Sequence, residues 1–545
     1  MTWRITIFLL LFFTFSFLFR TDYSFDQDLG RHIKLGGIIL QIHQIPKTNL
    51  FSYTNPDFPF INTHWLFEAV SFLFAQANAL QLLLILKFII FLLSVCITLK
   101  LIPKDKTVLL LPIGFIFLHV LRERLELRPE IFSFLFTTLT YYILEKYLKK
   151  PTKLIYLLPL IQLIWIDTHI YFFVGLGLQV IFIITHRKLR TLWLIFGLSL
   201  IFSLLNPNGL EGLLYPLNVN QNYGYTIVEN QTLFFLENLK FADPNFLFVK
   251  LSWVIIILSL TSSFIKRRFE VKNILLCVFG MGLSILNVRS FPYLVFLSLP
   301  AVLINFGTVK KNGVTFLLLL VTCALLLLES FFYLNGDYYK YADTQKQVGL
   351  SFGEPGKNSL DFVLANKLPQ PIFNNFDIGS YIIYKGFPSY KVFVDGRPEA
   401  YPKEFFTNTY IPIQYDFNKF KDLDKQINFK TIIFSHTDQT PWGVNFLQNI
   451  VKDPDWKCVY IDQFMIVLVK KETLGNLPSL DLNKLDPSSY SFNNHADYLR
   501  LGYFLIRTNN LNSGKLFLDK VIQIFPESPT ANAILFGTSS NNFFW

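Results

Sequence analysis

Uninterrupted apolar runs limit what this chain can fold into. "LQLLLILKFIIFLLSVCITLK" at 80–100 and "GVTFLLLLVTCALLLL" at 313–328 are the clearest. At about 1.5 Å of helical rise per residue, runs of this length cover most or all of the roughly 30 Å of bilayer hydrocarbon. Composition agrees, with 52% hydrophobic and 16% charged residues and a mean hydropathy of +0.40. These values exclude an ordinary soluble domain. The net charge of +11 could point to nucleic acid, but Lys and Arg fall mainly in short clusters between the apolar runs. That pattern describes membrane topology, so no nucleic-acid partner is expected. Cys96, Cys277 and Cys323 lie inside apolar runs, Cys458 lies apart, and no CxxC occurs. Neither a disulfide framework nor a zinc site is supported, and no metal ligand is assigned. Arg4 and the apolar stretch to Phe19 are followed by no small-x-small cleavage site, which reads as an uncleaved anchor.

Candidate spans at 4–19, 80–101, 107–121, 131–147, 154–166, 170–185, 191–205, 247–265, 273–288, 291–306 and 314–334 predict about eleven crossings. With the N-terminus inside, Lys104 and Lys106, Lys149 to Lys153, Arg187 to Arg190, Lys266 to Arg268, and Lys310 with Lys311 all fall on the cytoplasmic side. An odd number of spans then places 335–545 outside, together with loops 20–79 and 206–246. The first of those loops carries an amphipathic pattern, "DLGRHIKLGGIILQIHQIP", ended by Pro46, and a second short apolar helix from His64 to about Ala77. Both are expected to lie along the outer surface.

Three regions are therefore predicted: a transmembrane domain at 1–334, an α/β domain at 335–480 and a helical hairpin at 481–545. In the α/β domain "KVFVDG", "KTIIF", "WKCVYI" and "FMIVLV" read as strands. In the hairpin, Tyr498, Leu501, Gly502, Leu505, Gly514, Leu518, Val521 and Pro526 follow the spacing of one tetratricopeptide unit. A lone repeat buries too little, so it must pack on the α/β domain or on a protein partner.

Chemistry concentrates near the outer headgroups. "FDQDLGRHI" places Asp26 and Asp28 just beyond the first span, where one of them could take an acceptor proton. Asp28 directly precedes a helical pattern, so a helix N-cap is the competing role. His64 and Glu68, four apart, share a helix face and could orient an acceptor, hold a metal or form an ordinary surface pair. "RERLELRPE" puts Arg122, Arg124 and Arg128 outside, against the cytoplasmic bias. Glu123, Glu126 and Glu130 could neutralise two of these arginines, which leaves Arg128 for a phosphate. Asp167, His169 and Arg289 sit at span edges, where ionisable groups are costly to bury. Asp377, Asp395 and Arg397 read as turn and edge residues.

Taken with "RPE", "LLNPNGLEGLLYPL" and "NVRSFP", the first loop "DQDLGRHI…IP.TNLFSYT…FPFINTHWLFE" resembles the bacterial membrane glycosyltransferases of the GT-C class. "IFNNFDIGSYIIYKGFPSYKVFVDGRPEAY" resembles the soluble domain that often follows in these enzymes. The resemblance implies a polyprenyl-phosphate-linked sugar as donor, an acidic residue of the first outer loop as base, and inversion at the sugar carbon. It implies a glycan, lipid or protein acceptor at the outer face of a bacterial cytoplasmic membrane, among membrane lipids. Asp26 and Asp28 match the acidic motif. Where relatives often show an Asn and a His-Gly pair, this chain has Asp167 and no Gly after His169, so no role is carried onto that stretch. No cofactor is assigned, and a divalent cation is left open. The expected fold is mainly α: a polytopic GT-C-like bundle with an extracytoplasmic α/β domain and a helical-repeat hairpin. A transporter or flippase would need ionisable groups deep in the spans, and apart from Lys87 and the Asp167 region they are nearly absent. A noncatalytic scaffold is the other alternative.

Overall fold

The computed structural model describes residues 2–218, 223–241, 243–267, 270–309 and 312–537, apart from the side chain of Asp26. Arg268, Lys310 and Lys311, counted above among the cytoplasmic clusters, lie outside the described residues. Every apolar segment expected to cross the membrane coincides with a helix, from Trp3–Leu18 through Leu80–Lys100, Thr107–His119, Glu130–Lys149, Leu158–Thr168, Phe173–Thr185 and Arg190–Leu204 to Pro244–Ile265, Val271–Leu286, Phe291–Phe306 and Gly313–Leu334. Among the described residues, four helices are long and apolar enough to cross a bilayer by themselves: Leu80–Lys100, Pro244–Ile265, Val288–Phe306 and Gly313–Leu334. Arg190–Leu204 and Gly209–Asn218 would make a fifth, but they are bent by 101° at the break between them. Other apolar helices are shorter: the 13 residues of Thr107–His119 rise only about 20 Å. The protein is a multi-pass membrane protein built on an α-helical bundle.

Phe291–Phe306 is the central post of that bundle, with nearly every side chain buried. Gly313–Leu334, by contrast, exposes Val314, Phe316, Leu317 and Leu328, a face suited to lipid. Lys87, an ionisable group within an apolar run, is an internal tie. Its Nζ lies 2.9 Å from Asp22 Oδ2, both side chains are shielded, and Asp22 also accepts from Leu127 N–H at 2.7 Å. The cost of burying the ammonium is thereby offset by a paired, hydrogen-bonded carboxylate.

At one end of the bundle the loop 20–79 forms two helices packed on one another, Gly30–Ile42 and Trp65–Gln76, where the amphipathic pattern and the short apolar run predict them. The first ends at His43 in the left-handed conformation, ahead of Pro46. The α/β region sits on these helices. Its sheet has the order β1-β2-β4-β3, with β1 Ile372–Asn374, β2 Thr431–Ser435, β3 Trp456–Ile461 and β4 Met465–Lys470. β1 and β2 are parallel, and the other two pairs are antiparallel. One predicted strand is corrected: "KVFVDG" is not in the sheet. Val392 instead exchanges backbone hydrogen bonds with Phe51 and Tyr53 of the loop 20–79, so its β-rich sequence serves the junction between domains.

The C-terminal hairpin, His495–Arg507 and Leu511–Ile524, closes over Gly502 and Gly514 and is followed by Pro529–Phe536. It packs inward on the α/β domain. Gln448 donates to the Arg507 carbonyl, and the His436 ring lies 4.8 Å from that of Phe504.

Candidate functional site: an arginine and carboxylate cluster

Residues 25–29 form a single π-helical turn that runs without a break into Gly30–Ile42. Asp28 therefore lies inside a continuous helix. The N-cap role considered for it is corrected: its carboxylate takes Arg31 Nη2–H at 3.3 Å rather than a backbone N–H, because the helix starts a turn earlier than the apolar pattern suggests. Asp26 shares this turn, but its side chain lies outside the described residues.

Arg128 reaches Asp28 from another loop, with Nε 3.4 Å from Oδ2, and also donates to Gln27. Burial works to raise the Asp28 carboxyl, but Arg128 and then Arg31 outweigh it and hold it below its ordinary value. The side chain is 25% exposed, so the ionised carboxylate can meet a ligand.

Glu229, which the sequence reading passed over, is the hub of the cluster. Arg128 Nη1 donates to its two oxygens at 2.7 and 2.8 Å, Arg289 Nη2 donates at 2.9 Å, and Arg124 Nη1 lies 2.9 Å away. Burial opposes ionisation here too, yet Arg124, Arg128 and Arg289 hold this carboxyl well below its ordinary value. Arg124 has a second partner, Glu130, at 2.7 Å. Of the remaining charges in "RERLELRPE", Arg122 pairs with Glu123 at 3.0 Å, and Glu126 takes Arg20 at 3.3 Å. Among the described residues the Nε atoms of Arg31, Arg124, Arg128 and Arg289 are buried without a hydrogen-bond acceptor. Guanidinium N–H groups left without an acceptor are of the kind an anion satisfies. A divalent cation suits this spot poorly, because the nearest neighbours of Asp28 are guanidinium groups. No group of three or more His, Cys, Asp or Glu among the described residues is placed to hold a metal.

A second arm runs inward from the cluster. Glu68 is buried and bonds His32 Nδ1 at 3.0 Å and Asn62 Nδ2 at 2.6 Å, so it is not part of an exposed surface pair with His64. His64 lies between two other imidazoles, with ring centroids 5.7 Å from His32 and 5.7 Å from His169. Burial, followed by the nearby His32, Arg31 and Arg289, keeps His64 well below its usual range and hence neutral. His169 Nδ1 is 2.7 Å from Ser133 Oγ, and its ring stacks on Tyr171. Asp167 accepts from Trp65 Nε1 at 2.9 Å.

The structure thus gathers Asp28, Arg128, Arg289, His64, Glu68 and His169 at one end of the bundle. It adds Arg31, His32, Arg124 and Glu229 to them. Spacing offered no sign of Glu229, a lone acid in a polar connection; its role comes from three arginines supplied by two other loops. Asp395 and Arg397 form a buried pair with Nε 2.7 Å from Oδ1, and the adjacent Gly396 faces the site: a Cβ there would lie 3.9 Å from Asp28 Oδ1.

The fold and the cluster define a multi-pass membrane protein with an anion-suited basic site beneath an α/β domain. No protein-family model matches the chain, and no curated protein matches it. Solved structures do match in fold. The archaeal oligosaccharyltransferase AglB from Archaeoglobus fulgidus, in complex with an inhibitory peptide and a dolichol-phosphate, superposes with a TM-score of 0.51 at 10% identity, covering 96% of this chain and 86% of that one. The Archaeoglobus fulgidus oligosaccharyltransferase in the apo form gives 0.51 at 10% identity, covering 95% and 86%. The chain shares the overall fold of these structures and carries a four-stranded sheet.

Proposed function

We propose that this protein is a membrane glycosyltransferase that moves a sugar from a polyprenyl-phosphate carrier to an acceptor hydroxyl or amide. The observation that carries this reading is a quarter-exposed, ionised Asp28 beside guanidinium groups with unsatisfied N–H donors. The acceptor atom attacks the anomeric carbon, the bond from that carbon to the phosphate oxygen breaks, and Asp28 receives the acceptor proton. Attack from the face opposite the phosphate inverts the sugar carbon. Arg128 and Arg289 stabilise the charge that gathers on the departing phosphate, with donors already in place before the reaction. Asp26 is the alternative base. Neutral His64, with His169 and the Glu68–His32 pair, lines the acceptor side.

Further support comes from fold similarity to a protein solved with a dolichol-phosphate, a lipid of the proposed donor's class. In this reading the bundle lies in a bacterial cytoplasmic membrane, with 20–79, 206–246 and 335–545 on the outer face, and the acceptor is a glycan, lipid or protein. The test is sugar transfer by purified protein from a polyprenyl-phosphate sugar. Asp28→Asn should lower turnover by about 10²- to 10⁴-fold while insertion is unchanged. Full transfer by Asp28→Asn, Asp26→Asn and the double variant would remove the proposed base.

A further inference from the structure

Glu229 occupies the spot where its three arginines would grip a phosphate. Two oxygens of one carboxylate take close contacts from Arg124, Arg128 and Arg289, a grouping of guanidinium forks that equally fits the oxygens of a phosphate. The arginines also have partners that stay when Glu229 is removed. Arg124 keeps Glu130 at 2.7 Å, and Arg128 keeps Asp28 at 3.4 Å. Emptying the seat therefore leaves a net positive cluster, not a collapsed one. The carboxylate itself is not deeply held: its side chain is 27% exposed and sits on a single short turn, Val228–Asn230.

That turn is strung between two fixed points. At one end Tyr225, 7% exposed, stacks on Phe376 of the α/β domain with centroids 4.2 Å apart, and Phe406, Tyr410 and Trp442 close the box around it. At the other end the Gln231 carbonyl accepts from Val288 N–H at 3.0 Å, next to Arg289. The segment that carries Glu229 is thus tied to the α/β domain at Tyr225 and to the bundle at Gln231.

We propose that Glu229 is a resident anion in the phosphate seat, and that a phosphate-bearing ligand must displace it to bind. This rests on the reading of the cluster as the donor's phosphate site. The competition lowers affinity by the fraction of molecules whose seat is empty, so it tunes how readily donor is captured and spent carrier released. Tyr225 is a positioning residue: it acts through Glu229 and touches no ligand.

The test is equilibrium binding of polyprenyl phosphate and of inorganic phosphate to the purified full chain in detergent, without turnover. Glu229→Gln should bind polyprenyl phosphate roughly tenfold more tightly than wild type. Tyr225→Ala, which leaves every charge in place, should tighten binding in the same direction, and Tyr225→Phe should restore wild-type affinity. Glu130→Gln removes one negative charge from the same cluster without vacating the seat, and should tighten binding clearly less than Glu229→Gln does. Glu229→Gln binding no more tightly than wild type overturns the proposal, as does an equal gain from Glu130→Gln. An unchanged Tyr225→Ala affinity overturns the role of the anchor. If neither wild type nor Glu229→Gln binds either phosphate, the phosphate-site reading fails as well. Saturation by inorganic phosphate ahead of the lipid would assign the seat to free phosphate and overturn the lipid carrier as the competitor.

Discussion

Arg397 of the α/β domain donates from Nη2 to Asn49 Oδ1 of the loop 20–79 at 2.7 Å, across 348 positions of sequence. The same guanidinium forks onto Asp395 at 2.7 and 2.8 Å and lies over the rings of Phe51 and Phe60 at 5.1 and 4.9 Å. Because Gly396 abuts Asp28, this buried junction also sets one wall of the candidate site.

Arg397→Lys is therefore expected to keep the charge and lose the fork. An ammonium cannot reproduce the bonds to Asp395 and Asn49 together, and a buried polar group left unsatisfied costs about 1–3 kcal/mol. The thermal unfolding midpoint in detergent should fall, and transfer should fall with it as the 395–397 loop leaves Asp28. An unchanged midpoint would show that the junction contributes nothing to stability.

Which parts of this molecule could be read in advance follows from the range of the interactions involved. Apolar runs set helices locally, so the bundle and both surface helices were legible. "KTIIF", "WKCVYI" and "FMIVLV" became strands, whereas "KVFVDG" carries the same β-rich signal to the first loop, 340 residues away in sequence. Asp28 and Arg128 were visible because their charges sit against the surrounding pattern. The hub Glu229 was not, and neither was the choice of His32 rather than His64 as partner of Glu68, since both depend on how separate loops meet.

Asp343 tests how the hairpin is held. Its carboxylate, 3% exposed, accepts from His495 Nε2 at 3.0 Å, Ser528 Oγ at 2.9 Å and Thr530 N–H at 2.9 Å. Asp343→Ala strands those donors, each at about 1–3 kcal/mol if left unsatisfied. Limited proteolysis should then cut within 490–537, while sugar transfer stays within a few-fold of wild type. Protection equal to wild type would mean the hairpin is held by its apolar face alone.

The pH profile tests the base. The Asp28 carboxyl is depressed below its ordinary value of 3.8, so its ionised form is present above that value and is lost only as pH falls through the depressed one. His64 is held neutral well below 6.5. Accordingly kcat/KM should stay level between about pH 5 and about pH 8, with no limb near the usual histidine range. A limb at about 6.5 that disappears in His64→Gln would transfer the base role from Asp28 to His64.

Gly36 gives the sharpest test of how the site is framed. It sits where the two surface helices cross, and a Cβ built there would lie 2.0 Å from the Glu68 carbonyl oxygen and 2.4 Å from its carbon. These are backbone atoms, so no side chain can swing aside. Gly36→Ala must push Trp65–Gln76 away from Gly30–Ile42, and forced overpacking of this kind typically costs about 1–3 kcal/mol. The displacement acts on Glu68 itself, which would lose its 3.0 Å contact with His32 and its 2.6 Å bond from Asn62. Transfer should drop together with stability. Gly37→Ala is the useful comparison: its Cβ would meet only the Phe72 ring at 2.8 Å, a side chain that can turn. Loss of transfer in Gly36→Ala and near-normal transfer in Gly37→Ala would tie function to the helix crossing. Equal behaviour of the two variants would mean that the crossing does not position Glu68.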